Sequence, residues 1–183
     1  MFERAREMTE RLMGRDTERR RAHELYVSIA EASRQPEFYT RLGVPDTTEG
    51  RYDLLSLHTI LVLRRLKQDK PRTAAFAQLL FDVMFRDVDD SLREMGVGDL
   101  RVGKKVRGYA EAFFGRALAY EKALDGEEPL EQALGRNVHG DEAHPRAPAL
   151  AAYVRRADAA LAEQDIATLM AGRVRFPAPT AGE

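Results

Sequence analysis

Residues 54–66 place Leu54, Leu55, Leu57, Ile60, Leu61, Val62, Leu63 and Leu66 in one short stretch. Neighbours on a helix point about 100° apart, so these side chains face nearly every direction around the axis. A helix that is apolar all round must be covered all round. His58, Arg64 and Arg65 interrupt the stretch, and it is too short and too polar to span a bilayer. The cover therefore has to come from the rest of the chain, and this helix is expected at the centre of the fold.

The remaining sequence supplies helices for that cover. No β-branched alternating run of useful length occurs, whereas apolar residues recur at helical spacing throughout. A charged opening helix is expected at 2–14, ending near Gly14, with Asp16 capping the next at about 17–34. Pro36 ends that helix, and a short turn of helix follows at 37–42. The Gly43-to-Gly50 loop then leads into the central helix at about 49–67. Pro71 suits the first turn of a long helix reaching Met95, with Gly96 as its natural stop. A Gly-rich turn from Gly96 to Gly103 should lead into a helix at 104–125, with a short helix at 128–138 after it. Gly140 to Pro148 reads as a loop before a last helical hairpin at 148–171. The prediction is an all-α, single-domain helical bundle of about seven helices over 1–171, with 172–183 as a flexible C-terminal tail.

Composition removes several function classes. The 183 residues include 29 Lys+Arg and 30 Asp+Glu, so no overall field draws the chain to nucleic acid or membrane. Local basic clusters remain: Arg19 to Arg21; Arg64, Arg65, Lys67, Lys70 and Arg72; and Arg101, Lys104, Lys105 and Arg107. Each reads either as a solvated face or as the contact of an adaptor with an anionic partner, a membrane surface or RNA. There is no cysteine, which excludes disulfides, thiolate zinc sites and a cysteine nucleophile. The N-terminus mixes acid with base and has no apolar core, so neither a secretory signal nor a transit peptide is expected. A soluble, cytoplasmic chain follows, at most peripheral at a membrane.

Motifs that carry chemistry each fail on inspection. Gly98-Asp99-Leu100-Arg101-Val102-Gly103-Lys104-Lys105 nearly spells a phosphate-cradling loop, but Lys105 replaces the Ser or Thr that holds Mg²⁺, and no strand precedes it. Asp87, Asp89 and Asp90 resemble a proton-donating acid cluster, yet Asp82/Arg86 and Asp89/Arg93 pair at favourable helix spacing, as on a solvated face. His23-Glu24 lacks the second histidine of a zinc helix. His58 reads as a core histidine hydrogen-bonded to a neighbour. No catalytic residue, metal site or cofactor is expected.

Two adjacent aromatic or apolar pairs point to recognition: Met84-Phe85 and Phe113-Phe114. One narrow stripe cannot hold both members of such a pair. Either the helix is buried on a broad face, or one member stands exposed for a partner; broad burial is the reading we carry forward.

At these segments the sequence resembles the ubiquinol–cytochrome c reductase chaperones. The strings are Phe38-Tyr39-Thr40-Arg41-Leu42-Gly43-Val44-Pro45-Asp46-Thr47, Gly50-Arg51-Tyr52-Asp53 and Leu57-His58, then Leu80-Phe81-Asp82, Phe85-Arg86-Asp87 and Leu92-Arg93-Glu94-Met95-Gly96-Val97-Gly98-Asp99. Val102-Gly103-Lys104-Lys105 and Phe113-Phe114-Gly115-Arg116-Ala117-Leu118-Ala119-Tyr120 complete them, covering about 24–165. Val88 and Tyr109 depart from the pattern, both as apolar swaps for Met. The resemblance implies an all-α assembly factor without catalytic activity or cofactor, of bacterial type. Its client would be newly made cytochrome b, with the ribosome exit region or a small partner chaperone as further contacts, and no DNA. A hypothetical apolar groove is then expected from Phe85, Phe113, Phe114 and Tyr120. The loops at 43–51 and 96–104 would sit nearby with Asp46, Arg51, Arg93, Asp99 and Lys104. Those charged residues have structural readings too: Asp46 as a helix cap, Arg51 or Arg93 as a clamp between loops, with the clamp preferred for Arg93 and Asp99.

Overall fold

The computed structural model describes residues 2–180, with side chains from residue 14 onward. The chain runs α1 (Phe2–Ser33), α2 (Glu37–Thr40), α3 (Thr48–Lys67), α4 (Lys70–Glu94), α5 (Asp99–Leu124) and α6 (Leu130–Leu134). A π-helical turn, Gly135–His139, follows α6, and α7 (Ala147–Ala162) and α8 (Ile166–Met170) close the bundle. No strand occurs among the described residues.

The apolar girdle of α3 is met as expected. Leu54, Leu57, Leu61, Val62 and Leu66 are fully buried, and α1, α4, α5 and α7 all pack on this helix. Thr47 begins it by accepting the Gly50 N–H at 3.1 Å, so the cap is Thr47; Asp46, expected there, pairs instead with Arg51 at 2.8 Å. Gly50 is required where the loop folds back on the helix. A Cβ there would lie 2.0 Å from the Pro45 carbonyl oxygen.

Polar atoms on a buried helix need partners. The His58 Nδ1–H donates to the Leu54 carbonyl at 2.8 Å, which leaves Nε2 to accept the Tyr153 hydroxyl at 2.7 Å. Phe38 stands edge-on to both rings, with centroids 5.2 and 4.9 Å away. Further along, Arg64 pairs with Asp125 at 2.7 Å and Asp158 at 3.3 Å. Arg65 donates to the Leu161 and Gln164 carbonyls at the end of α7. The second basic cluster thus fastens α3 to α5 and α7.

Several boundaries differ from the reading of the sequence. α1 runs unbroken through Gly14 and Asp16. α5 begins at Asp99 rather than 104, so Gly103 and Lys104 lie within a helix and cannot cradle a phosphate as a loop. Gly96 does stop α4: it takes φ +82°, and the Val97 N–H reaches the Leu92 carbonyl at 3.0 Å. The segment 172–180, expected to fray, lies against the core. Gln164 exchanges two hydrogen bonds with the Arg175 backbone, Arg156 donates to the Thr180 carbonyl, and the Phe176 ring sits 4.9 Å from His58. The end of the expected tail, 181–183, falls outside the described residues.

Full burial lowers the His58 pKa from 6.5 to about 4, against the pull of its Leu54 bond. Because the folded value is the lower one, its contribution is complete above about pH 6.5. It falls as the unfolded chain takes up protons, by about 1.4 kcal/mol per pH unit down to about pH 4. Urea unfolding at neutral pH and near pH 5 should therefore show the wild type losing about 2 kcal/mol more than His58→Gln. Equal losses in the two proteins would place the proton elsewhere.

Candidate functional site

The C-terminal half of α3, the N-terminal half of α4 and the C-terminal half of α5 enclose an open groove of about 470 Å³. Its depth comes from small side chains, Ala74 and Ala77 on α4 and Ala117 on α5. Its walls are Leu63, Phe81, Phe113 and Phe114. Lys67, Lys70 and Glu121 stand at the rim, and Lys67 is tied to Glu121 at 2.9 Å.

The rings form one connected cluster. Phe81 lies 4.6 Å from Phe85, 5.6 Å from Phe113 and 5.4 Å from Phe114, the last nearly parallel at 26°. Phe113 meets Phe85 edge-on. The two adjacent pairs are resolved differently. Met84 and Phe85 are both buried, because α4 is covered on a broad face. Phe113 is buried, whereas Phe114 is 60% exposed and Leu118, one turn on, is 58% exposed. The expectation of burial therefore fails for Phe114: no neighbouring element reaches beyond Phe81 to cover it.

The remaining expected residues do not join this groove. Phe85 is buried beneath Phe81 and does not line it, and Tyr120 is fully buried on α5's inner face. Asp46 and Arg51 sit at the start of α3, Arg93 at the end of α4, and Asp99 and Lys104 at the start of α5. At 1.5 Å per residue that end of the bundle lies about 15–25 Å from the groove. There Arg93 bonds Asp89 at 2.6 Å and also Asp99, bracing the turn between α4 and α5. A second cleft of about 350 Å³ opens beside them between Arg34, Arg51, Tyr52, Leu55, Val88 and Met95.

One buried constellation was not anticipated. Asp53, on an otherwise apolar helix, pairs with Arg116 of α5 at 2.6 Å, and the guanidinium lies 5.9 Å from the Tyr52 ring. Burial lifts the carboxyl to about 6, Arg116 pulls it back and Glu49 pushes it up. It is thus ionised at neutral pH, as the contact with a guanidinium requires. Arg116 Nε and the Tyr120 hydroxyl have no hydrogen-bond partner among the described residues. An acid on a helix that must be buried was the available signal, since such a charge demands a cation partner. Phe81, which completes the ring cluster, enters the sequence reading only within the string Leu80-Phe81-Asp82.

The groove has the size and apolar walls to receive an apolar helix or extended segment. No cluster of metal-ligating side chains exists among the described residues, and no described helix is long and apolar enough to cross a membrane.

Residues 40–176 match the family model described as ubiquinol-cytochrome C chaperone. A mouse protein named ubiquinol-cytochrome c reductase complex assembly factor 1 is 28% identical over 135 residues, 72% of this chain and 46% of that one. Its Xenopus laevis counterpart is 25% identical over 115 residues, 62% of this chain and 58% of that one. The chain thus spans about half the length of these animal relatives. The crystal structure of the Cbp3 homolog from Brucella abortus superposes with a TM-score of 0.82 at 38% identity, covering 94% of this chain and 97% of that one.

The uneven burial of the Phe113-Phe114 pair has a direct energetic test. Phe113→Ala should cost about 3–5 kcal/mol in urea unfolding, as for a core aromatic. Phe114→Ala should cost under about 1 kcal/mol. Similar losses for the two would show that Phe114 is packed as tightly as its neighbour.

Proposed function

The chain belongs to the ubiquinol-cytochrome C chaperone family, and on that premise we propose that it binds newly synthesised cytochrome b and supports assembly of ubiquinol–cytochrome c reductase. The observation that carries this reading is the groove with Phe114 exposed at its wall and Leu118 exposed beside it. A membrane-protein client presents apolar helices before it is assembled, and such a helix is covered by an apolar trough of this kind. Ala74, Ala77 and Ala117 let a helix approach closely, while the stacked Phe81 and Phe114 rings offer a rigid apolar face. Lys67 and Lys70 at the rim suit the polar flanks of the same segment. On this reading the protein works by holding its client, and catalysis has no part in it. The ribosome exit region and a small partner chaperone belong to the same proposal as secondary contacts.

A photo-crosslinker at position 114 should capture newly made cytochrome b, whereas one on the far side of the bundle, at position 155, should not. Phe114→Asp together with Leu118→Asp should leave the fold intact and lower cytochrome b and reductase activity toward the level of a deletion strain. Other respiratory complexes should persist. Normal reductase levels in the deletion strain would sink the proposal.

A further inference from the structure

The three basic clusters of the sequence meet different fates. The one at 64–72 is spent on structure: Arg64, Lys67 and Arg72 are ion-paired, and Arg65 is bonded to carbonyls of α7 and the turn after it. The one at 19–21 lines a mixed cleft in which Asp82, Asp87 and Asp90 face Arg19 and Arg20. The third is left bare. Arg101, Lys104, Lys105 and Arg107 are all exposed on the first turns of α5, and none makes an ion pair among the described residues. The acids around them form no ion pair with them: Asp99 is bonded to Arg93, Glu111 follows Arg107 by one turn without pairing, and of the two acids that share a cleft with Lys105, Asp53 is held by Arg116 and Glu49 makes no ion pair among the described residues.

This arrangement is unfavourable for the isolated fold. Arg101 and Lys105 are four residues apart, and Lys104 lies three from both Arg101 and Arg107, so like charges are neighbours on the helix surface. They also sit near the end of α5 where the helix dipole disfavours cations. Amid them Leu100 is fully exposed, and Met95, just before the turn, is 54% exposed. Aliphatic tips among unpaired cations are the composition of an interfacial lipid contact.

The geometry of α5 extends the argument. Leu100, Lys104, Arg107, Glu111, Phe114 and Leu118 follow one another at spacings of three and four, which places them on one outward stripe. A flat surface that meets the cationic end of this stripe also faces its apolar end, about 21 Å along the helix from Leu100 to Phe114. RNA fits the stripe less well, because it carries no aromatic side chain among the cations on which a base could stack.

We propose that the outer face of α5 docks on an anionic lipid surface, with Lys104 and Arg107 against the headgroup phosphates, Arg101 and Lys105 flanking them round the helix, and Leu100 entering the interface. Docked so, the groove at the far end of the same helix faces the bilayer.

The test is sedimentation of the full chain with vesicles of phosphatidylcholine alone or mixed with phosphatidylglycerol, at low and raised salt. Binding is expected only to the mixed vesicles and should weaken with salt. Each cation near such a surface contributes about fivefold, so Lys104→Glu with Arg107→Glu should lower partitioning about 25-fold or more. Leu100→Ser should reduce it further at an unchanged salt slope. All three positions are exposed, and an unchanged thermal midpoint shows that the variants fold. The proposal is overturned by equal binding to both vesicle types, by binding to neither, or by variants that bind like wild type. Binding to RNA in place of vesicles, indifferent to Leu100→Ser, would assign the cations to a nucleic acid. Because no cytochrome b is present, either result leaves the client reading to be judged on its own crosslinks.

Discussion

Everything in this fold answers to one constraint: α3 is apolar on nearly all sides and has to be kept from water on all of them. α1, α4, α5 and α7 surround it, and its buried histidine and carboxylate are held from two different walls, while Thr59 turns back to the Leu55 carbonyl of its own helix. His58 is held by Tyr153 of α7, Asp53 by Arg116 of α5, and the basic end of the helix by α5 and α7. These contacts fix the rotation of α3 within its sleeve, which hydrophobic burial alone would leave loosely specified.

The same constraint explains how the groove arises. α3 is covered at its middle by large side chains from every neighbour. Toward its C-terminal end, however, α4 and α5 face each other through alanines, and the sleeve thins. The Phe81–Phe85–Phe113 cluster closes the core beneath, so Phe114 is left as an outer ring stacked on an inner one. The exposed patch rests on a rigid aromatic floor, and exposing it demands no opening of the bundle.

Much of this was legible before any coordinates. The girdle of leucines on α3 implied a central helix, and helical spacing elsewhere implied an all-α shell. The misplaced boundaries share one cause: Gly14 was read as a stop and Gly103 as the end of a turn, yet a glycine within a helix costs only about 1 kcal/mol relative to alanine. The long helices on either side outweigh that. The site was legible only as a question. Met84-Phe85 and Phe113-Phe114 look alike in sequence, and which ring is left bare depends on how far Phe81 reaches across from another helix. The clamp expected of Arg93 and Asp99 is there, but spacing could not reveal that this corner lies far from the rings, or that Tyr120 turns inward. The packed segment 172–180 escaped notice because its anchor, Gln164, bonds backbone that carries no sequence signature.

That packed segment bears on the order in which the molecule can be completed. One edge of the His58 ring is sealed by Phe176, more than a hundred positions further along the chain. The leucines of α3 are gathered by the long helices, whereas this edge stays open to water until 172–180 docks. The innermost polar group of the fold is therefore closed by one of its most distant segments in sequence.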